Sequence, residues 1–376
     1  MMNPAFDITT LPVTGQRILD PNGPAPMRAM AAKGVIPGLK PAEIVTVLAL
    51  LAEWPDAPIA DSARATLGKL PKPVLDGALS QDLHPGVIDL LGDAHIADVE
   101  VIGKLLEMKT IAPETVARMA EKGSEMICER IATNEARLLE HPIIIEALYM
   151  SRATRMSTAD RVLELAVRNG ITLNIPAFKE AAVAIKDELI AEPSPDPTPD
   201  DLVYQQAEEL AESVVLDLVT EDTHVLDDEG NELVADKCKP LWVLLGEMTV
   251  TQKIRRATLG SSAERMMLVR DTNRLVATAA IRSPLMQENE VVRISSSRSV
   301  DEDILRHIAN NREWTRSYQI KLNLVTNPRC PFTFAAKLIP LLRENDLKAI
   351  AKSKNVSGSV VTAARQHLTR RTNKKQ

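Results

Sequence analysis

The stretch "VATAAIRSPLMQENEVV", residues 276–292, can be laid over "IKLNLVTNPRCPFTFAA", residues 320–336, with an offset of 44 residues. In this overlay "RSP" meets "TNP", and the apolar positions largely coincide. In the first half of the chain, "LLEMKTIAPETVARMA" and "ALYMSRATRMSTADRV" are related by about the same offset. Self-similarity at a period of about 40–47 residues is typical of proteins built from repeated short helices.

The rest of the sequence supports helices throughout. "PAEIVTVLALLAEW" places Pro41 in a first helical turn and Ile44, Val47, Leu48 and Leu51 at helical spacing. Breakers such as "WPDAP", "LPKP", "LHPG" and "EHP" follow at short intervals. Aromatic residues make up only 3% of the 376 residues, so the core must consist mainly of aliphatic side chains and Met, which suit closely packed helices. The sequence therefore predicts an all-α protein, an α-solenoid of HEAT- or armadillo-like helical repeats.

Charge divides the chain into three parts. Lys and Arg number 19 against 23 Asp and Glu in residues 1–186, 2 against 18 in residues 187–247, and 24 against 10 in residues 248–376. The net charges are therefore −4, −16 and +14, and "AEPSPDPTPDD" in the acidic part predicts a linker. The predicted parts are a flexible lead (1–30), an N-terminal repeat module (31–190), an acidic linker with a helix or a hairpin (191–240), a basic C-terminal repeat module (241–370) and a basic tail (371–376).

The turns "LVTNPRCP" and "AIRSP" resemble the Asn-Pro turns of leucine-rich-repeat-variant and HEAT-like α-helical repeat proteins. "IANNREWT" together with "KLNLVTNP" is similar to a bacterial helical-repeat family of uncharacterised function. The chain departs from the variant repeats because no cysteine cluster precedes the repeats, so no iron–sulfur cluster is implied. The resemblance implies a helical-repeat fold and a role as a binding scaffold, without a catalytic residue.

Common catalytic and cofactor patterns are missing from the sequence. It contains no GxxxxGK[ST], GxGxxG, GxSxG or HExxH, and its six histidines have no metal ligand at local spacing. Its three cysteines lie far apart with no CxxC pair, which favours a reducing compartment. We therefore expect no catalytic residue, no cofactor, no metal, no membrane span and a cytoplasmic location.

The basic module suggests a binding face. Asn310 and Asn311 predict the end of a helix. Trp314 and Tyr318 are interpreted as contacts between adjacent repeats, with stacking on a base or a guanidinium as the alternative. The predicted face for an anion or a partner comprises Arg255, Arg256, Arg270, Arg274, Arg293, Arg298, Arg306, Arg312, Trp314, Arg316 and Lys321.

Three functions fit these observations. The first is a non-enzymatic scaffold that binds a protein partner, with the acidic segment modulating the basic module. The second is binding of nucleic acid through phosphate contacts of the same basic module. The third is an enzyme whose site is assembled from distant repeats. A related hypothesis is that residues 192–236 fold back on the basic module, because the two charges are adjacent in one chain.

Overall fold

The computed structural model describes residues 6–188, 190, 194–213, 223–227 and 230–373. Helices dominate these residues, and their only strands form a two-stranded hairpin, which confirms the all-α class. The chain divides into two compact units, Met1–Leu173 and Asn174–Gln376. The second unit thus begins before the acidic segment and contains it.

Unit 1 consists of short helices with buried aliphatic faces, and several helices begin with proline in the first turn. Proline suits that position because its fixed φ is helical and its missing N–H would have no helical partner there. The helices of this unit are α1 (Val13–Leu19), α2 (Ala25–Ala32), α3 (Pro41–Ala52), α4 (Ala57–Leu67), α5 (Lys72–Leu79), α6 (Pro85–Ala94), α7 (Val99–Glu107), α8 (Pro113–Lys122), α9 (Glu125–Ala132), α10 (Glu135–Glu140), α11 (Pro142–Met150) and α12 (Met156–Arg168).

These helices pack in two rows. In one row α4, α6, α8 and α11 contact one another in succession, and in the other α5, α7, α9 and α12 do so. Helices of the first row begin at residues 57, 85, 113 and 142, which are 28, 28 and 29 residues apart. Side chains join neighbours at the same interval, as in the ion pairs of Lys122 with Asp93 (3.0 Å) and Arg155 with Glu125 (2.5 Å). Successive helices of the first row therefore begin at a nearly constant interval, whereas those of the second row begin 27, 26 and 31 residues apart.

Side chains from one helix or its flanking turn also cap the last carbonyls of an earlier helix. Thr66 Oγ1 donates to the carbonyl of Ala32 (2.6 Å), and His95 Nε2 lies 2.8 Å from the carbonyl of Leu67. The last carbonyls of a helix lack partners within it, so these contacts satisfy groups that would otherwise cost free energy when buried.

Residues 6–30 differ from the expected flexible lead. A 3-10 helix (Ile8–Thr10) precedes α1 and α2, and Ile18, Leu19 and Ala31 are buried. Because α1 and α2 follow Pro12 and Pro24 directly, these prolines mark helix starts.

Unit 2 repeats the pattern of short helices and adds the hairpin, in which Val225 pairs with Leu233. Its elements are α13 (Phe178–Ala184), α14 (Pro199–Ser213), β1 (His224–Leu226), β2 (Glu232–Val234), α15 (Lys239–Glu247), α16 (Val250–Leu259), α17 (Ser262–Leu268), α18 (Arg274–Ile281), α19 (Glu288–Ser296), α20 (Glu302–Asn310), α21 (Tyr318–Thr326), α22 (Phe332–Leu338), α23 (Glu344–Lys352) and α24 (Gly358–Asn373). A helix or a hairpin was expected in the acidic segment, and the described residues contain both; residues 214–222 and 228–229 of that segment lie outside the described residues.

The 44-residue overlay does not correspond to the packing in this unit. In one row α16, α18 and α20 contact in succession, and in the other α17, α19 and α21 do so. The overlay places α18 on α21, which are helices of different rows. It arose because α18 and α21 both bury an apolar face and both end at a turn that contains proline.

Candidate functional site

Two residues of the predicted basic face are buried. Arg255 and Arg256 lie in α16 and are 0% and 2% exposed. The Arg256 guanidinium lies 4.7 Å from the ring centre of Tyr204 in α14, and its Nε donates to Glu264 at 2.6 Å. Glu208 of α14 is also 3.5 Å from Arg256. The prediction of a surface role is therefore wrong for Arg255 and Arg256, because both cations lie in the interior of unit 2.

Other predicted residues form ion pairs. Arg270 pairs with Glu232 of the hairpin at 3.3 Å, and Arg274 pairs with Asp303. Arg306 pairs with Asp303 at 2.8 Å and with Glu302. These contacts compensate much of the positive charge between residues 248 and 310.

The two aromatic residues contact neighbours within the unit. Trp314 is half-buried beside His307, with ring centres 5.8 Å apart. Tyr318 bridges α21 and α23: its hydroxyl donates to Asp346, and the Arg343 guanidinium lies 4.5 Å from its ring centre. Both residues thus contact neighbours within unit 2, and the Tyr318 ring lies beside a guanidinium of its own chain.

The remaining predicted residues are accessible to different degrees. Arg298, Arg312 and Arg316 are exposed, whereas Arg293 and Lys321 are half-buried. Arg298 and Arg293 line the same cavity. Sequence position alone therefore did not separate cations on the surface from those in the interior.

A row of cations follows the ends of alternate helices in unit 2. Arg270 follows α17, Arg298 follows α19, Arg329 follows α21 and Lys354 follows α23, in each case two or three residues after the last helical residue. We call these four residues the helix-end row. Arg298, Arg329 and Lys354 are exposed, and their side chains form no ion pair or hydrogen bond with any other residue that the structure describes. Arg270, by contrast, is held by Glu232.

Two cavities open along this row. The larger, of about 450 Å³, is lined by residues at the ends of α19, α21 and α23, among them Ser296, Thr326 and Ser353. The smaller, of about 410 Å³, lies between the hairpin and the end of α19 and contains His224, Glu232 and Arg270. Ser296 and Arg298 line both cavities, so the two adjoin at Arg298.

Glu232 is the acidic residue of the smaller cavity. Its carboxylate accepts hydrogen bonds from Ser297 Oγ (2.9 Å), Ser299 Oγ (2.7 Å) and the backbone N–H of Arg298 (3.0 Å). Burial raises the pKa of this carboxyl, but the hydrogen bonds from Ser299, Arg298 and Ser297 and the charge of Arg270 together hold the pKa below its usual value. Glu232 is therefore ionised at neutral pH.

His224 lies beside Glu232 in the same cavity. Burial, reinforced by the charge of Arg270, lowers the pKa of His224 to about 4, although Glu232 opposes the shift. The imidazole is therefore neutral at neutral pH and adds no cation to the cavity.

Asparagine side chains hold the loop that binds Glu232. Asn327 Nδ2 donates to the carbonyls of Ser295 (2.9 Å) and Ser297 (2.7 Å), and Asn323 Nδ2 donates to the carbonyl of Val292 (2.8 Å). Asn327 belongs to the "TNP" turn singled out in the sequence. The turn thus caps the end of α19 and fixes the loop that follows.

The described residues offer no alternative metal or thiol site. No group of three or more His, Cys, Asp or Glu side chains among them could hold a metal ion. All three cysteines are buried, and burial raises the pKa of Cys330 to about 11. No helix in the described ranges is both long and apolar enough to cross a membrane.

Sequence reasoning missed Glu232, Ser297, Ser299, Arg329 and Lys354. Arg329 and Lys354 follow α21 and α23, so their position after alternate helices could have indicated them. That signal is readable only when the spacing of the helices is known. Glu232 lies 65–67 residues from the loop that binds it, and no local pattern indicates that contact. Comparison of the chain with protein-family models and with curated proteins gave no match.

Proposed function

We propose that this protein is a non-enzymatic binding scaffold whose second unit binds an acidic segment of a partner protein along the helix-end row. We further propose that both units are HEAT-like helical-repeat modules, and that the acidic segment of the chain modulates binding by the second. Helices that begin every 28 or 29 residues along one row of unit 1 support a helical-repeat assignment, at an interval shorter than the roughly 40–47 residues of HEAT and armadillo repeats.

The observation that carries this proposal is the carboxylate of Glu232 at the first position of the row. Arg270 and the loop after α19 already hold that acidic side chain. The next three cations are exposed and form no ion pair with a described residue. A second, third and fourth carboxylate on one extended segment would meet Arg298, Arg329 and Lys354 in turn.

The distribution of charge along the chain also supports the helix-end row as the binding surface. Residues 248–296 carry 8 Lys and Arg against 4 Asp and Glu, and several of these cations are buried or paired. Residues 297–373 carry 14 against 6, an excess of 8 positive charges. The excess attracts anionic partners and speeds their association at low ionic strength.

Cations at helix ends have a second explanation. They interact favourably with the negative ends of helix dipoles, typically by about 0.3–1 kcal/mol each. That role predicts a loss of stability when the row is reversed, but no specific loss of binding. Binding and stability must therefore be measured on the same variants.

The test compares two triple charge reversals in the full chain. R298E/R329E/K354E reverses the exposed part of the helix-end row. The matched control reverses three exposed lysines of unit 1 that form no ion pair with a described residue, Lys33, Lys69 and Lys109. Both variants change the net charge by the same amount, so a difference between them reports position rather than total charge.

Binding of a labelled poly-L-glutamate peptide is measured by fluorescence anisotropy. Exposed pairs contribute about 0–1 kcal/mol each, and reversal adds repulsion. Since 1.4 kcal/mol is a factor of about ten, we expect the row reversal to weaken binding at least tenfold and the control to leave it nearly unchanged. Equal affinities for the two triple variants would contradict the proposal.

Duplex DNA is titrated in parallel. Binding of DNA with a steep dependence on salt, together with no binding of poly-L-glutamate, would replace the proposed protein partner by nucleic acid. Glu232 favours the protein partner, because it is a side-chain carboxylate held at the first position of the row.

A further inference from the structure

The loop Ser297–Ser299 has the features of a built carboxylate site. Two hydroxyls and one backbone N–H point to the Glu232 carboxylate at 2.7–3.0 Å, and Arg270 supplies the opposite charge. Hydrogen bonds from neutral donors combined with one cation are a strong arrangement for an anion.

Contacts outside the hairpin hold this site in place. Asn327 donates to the carbonyl of Ser297 at 2.7 Å. Arg270 donates to the carbonyl of Met266 at 2.6 Å and to Ser299 Oγ at 3.2 Å. Met266 lies in α17 and Asn327 directly follows α21, so these contacts do not involve the hairpin and keep the donors oriented when Glu232 leaves.

The hairpin leaves three of the four apolar side chains in its strands exposed, and only Val234 is half-buried. Val225, Leu226 and Leu233 are 52%, 69% and 52% exposed. A two-stranded hairpin alone is at best marginally stable in water. The polar contacts of Glu232 are therefore a main attachment of this hairpin, and a ligand that offers the same chemistry can exchange with it.

We infer that Ser297, Ser299, the Arg298 N–H and Arg270 form a carboxylate-binding site for an Asp or Glu side chain of an acidic peptide, and that Glu232 occupies this site as a competitor within the chain. This inference rests on the proposed function, because the peptide that enters the site continues along the helix-end row. The intact protein then binds more weakly than the open site does.

The size of the effect follows from the occupied fraction. The apparent affinity falls by the fraction of molecules in which the site is open. If Glu232 occupies the site in about nine molecules of ten, its removal strengthens peptide binding about tenfold. This gain in peptide affinity depends on the hydrogen-bond donors of the open site, so it should be lost when one of those donors is removed.

The variant is E232Q, which keeps the size of the side chain and removes its charge. The matched control is E247Q, because Glu247 is exposed at the end of α15 and has no side-chain partner among the described residues. Both variants raise the net charge by one. A third protein, E232Q/S299A, lacks one donor of the open site.

Binding of the labelled poly-L-glutamate peptide to these full-length proteins gives the answer. We expect E232Q to bind about tenfold more tightly than E247Q and wild type, and E232Q/S299A to lose most of that gain. Circular dichroism of each variant checks that the helices remain. In wild type, hydrogen–deuterium exchange of residues 232–234 should increase when the peptide is added, because the peptide displaces the hairpin.

Each outcome separates the two proposals. If E232Q and E247Q bind equally while R298E/R329E/K354E still loses binding, this inference is overturned and the proposed function stands. If no variant binds the peptide, both are overturned. Inorganic phosphate serves as a second probe, and a gain for phosphate without a gain for poly-L-glutamate would overturn the assignment to carboxylates.

Discussion

Replacement of Asn327 by Ala tests whether the "TNP" turn holds α19 and its following loop. Asn327 is 7% exposed, and its amide donates to the carbonyls of Ser295 and Ser297. Its Oδ1 also accepts from the Arg329 N–H at 2.9 Å. The substitution N327A removes all three hydrogen bonds and leaves two buried carbonyls without this donor.

The expected loss of stability follows from those carbonyls. A buried polar group left without its partner costs about 1–3 kcal/mol. Asn327 lines the larger cavity, so water can reach part of the vacated space and reduce the cost. We therefore expect a loss of about 2–4 kcal/mol for N327A. For a unit of this size, 1 kcal/mol shifts the melting temperature by about 2–4 °C, which predicts a decrease of about 4–16 °C.

The measurement is denaturant unfolding of the full chain, followed by circular dichroism. The matched control is N355A: Asn355 lines the same cavity, but it is exposed and its side chain has no partner among the described residues. Exposed substitutions of this kind usually change stability by less than about 0.5 kcal/mol. If N327A and N355A unfold at the same denaturant concentration, the turn does not stabilise the unit and our account of the loop is wrong.

Three further predictions concern buried groups. The pKa of His224 is lowered from 6.5 to about 4 in the folded state, so the unfolded chain binds a proton more readily than the folded one. The contribution of His224 to the free energy of unfolding is therefore complete above pH 6.5 and is lost as pH falls from 6.5 towards 4. Between about pH 7 and about pH 5, the free energy of unfolding should fall less for H224Q than for wild type. The substitution E264Q removes the closest carboxylate from buried Arg256 and should cost about 3–5 kcal/mol in denaturant unfolding, whereas E247Q should cost almost nothing. Cys330, with its pKa raised to about 11, and the other two buried cysteines should react with a thiol reagent at neutral pH only after unfolding.

Local signals in the sequence predicted the helices well. The helix α3 begins at Pro41, and α20 ends at Asn310, both as predicted from residue type and spacing. The acidic helix and the hairpin were also expected. These features depend on neighbours within a few residues, which a single sequence displays directly.

The 44-residue overlay did not match the packing of unit 2, because helices of both rows carry the same kind of apolar face. An overlay of apolar residues and prolines cannot tell which row a helix belongs to. The information lies in pairs such as Lys122 with Asp93 or Thr66 with the carbonyl of Ala32, which join positions 29 and 34 residues apart. Only the folded chain identifies these partners.

The predicted basic face failed in part for the same reason. A list of arginines records charge but not burial, and Arg256 is buried because Glu264, Glu208 and Tyr204 surround it. Arg298 is exposed although it lies in an equally basic stretch. The difference comes from partners that are distant in sequence, and those partners separate structural arginines from candidate binding arginines.

The acidic segment therefore has two parts with different physical roles. In α14, Asp201, Tyr204, Ala207 and Ala211 are buried, and Tyr204 with Glu208 covers the buried Arg256. Deletion of residues 192–236 would expose that cation, so the loss of stability would obscure any change in binding. The hairpin, by contrast, exposes three of its four apolar strand side chains and contacts the loop after α19 through Glu232. The helix α14 thus packs into unit 2, whereas the hairpin carries the contact that we propose a partner displaces. A single substitution at Glu232 thus tests regulation by the acidic segment, because it removes the exchangeable contact and leaves α14 in place.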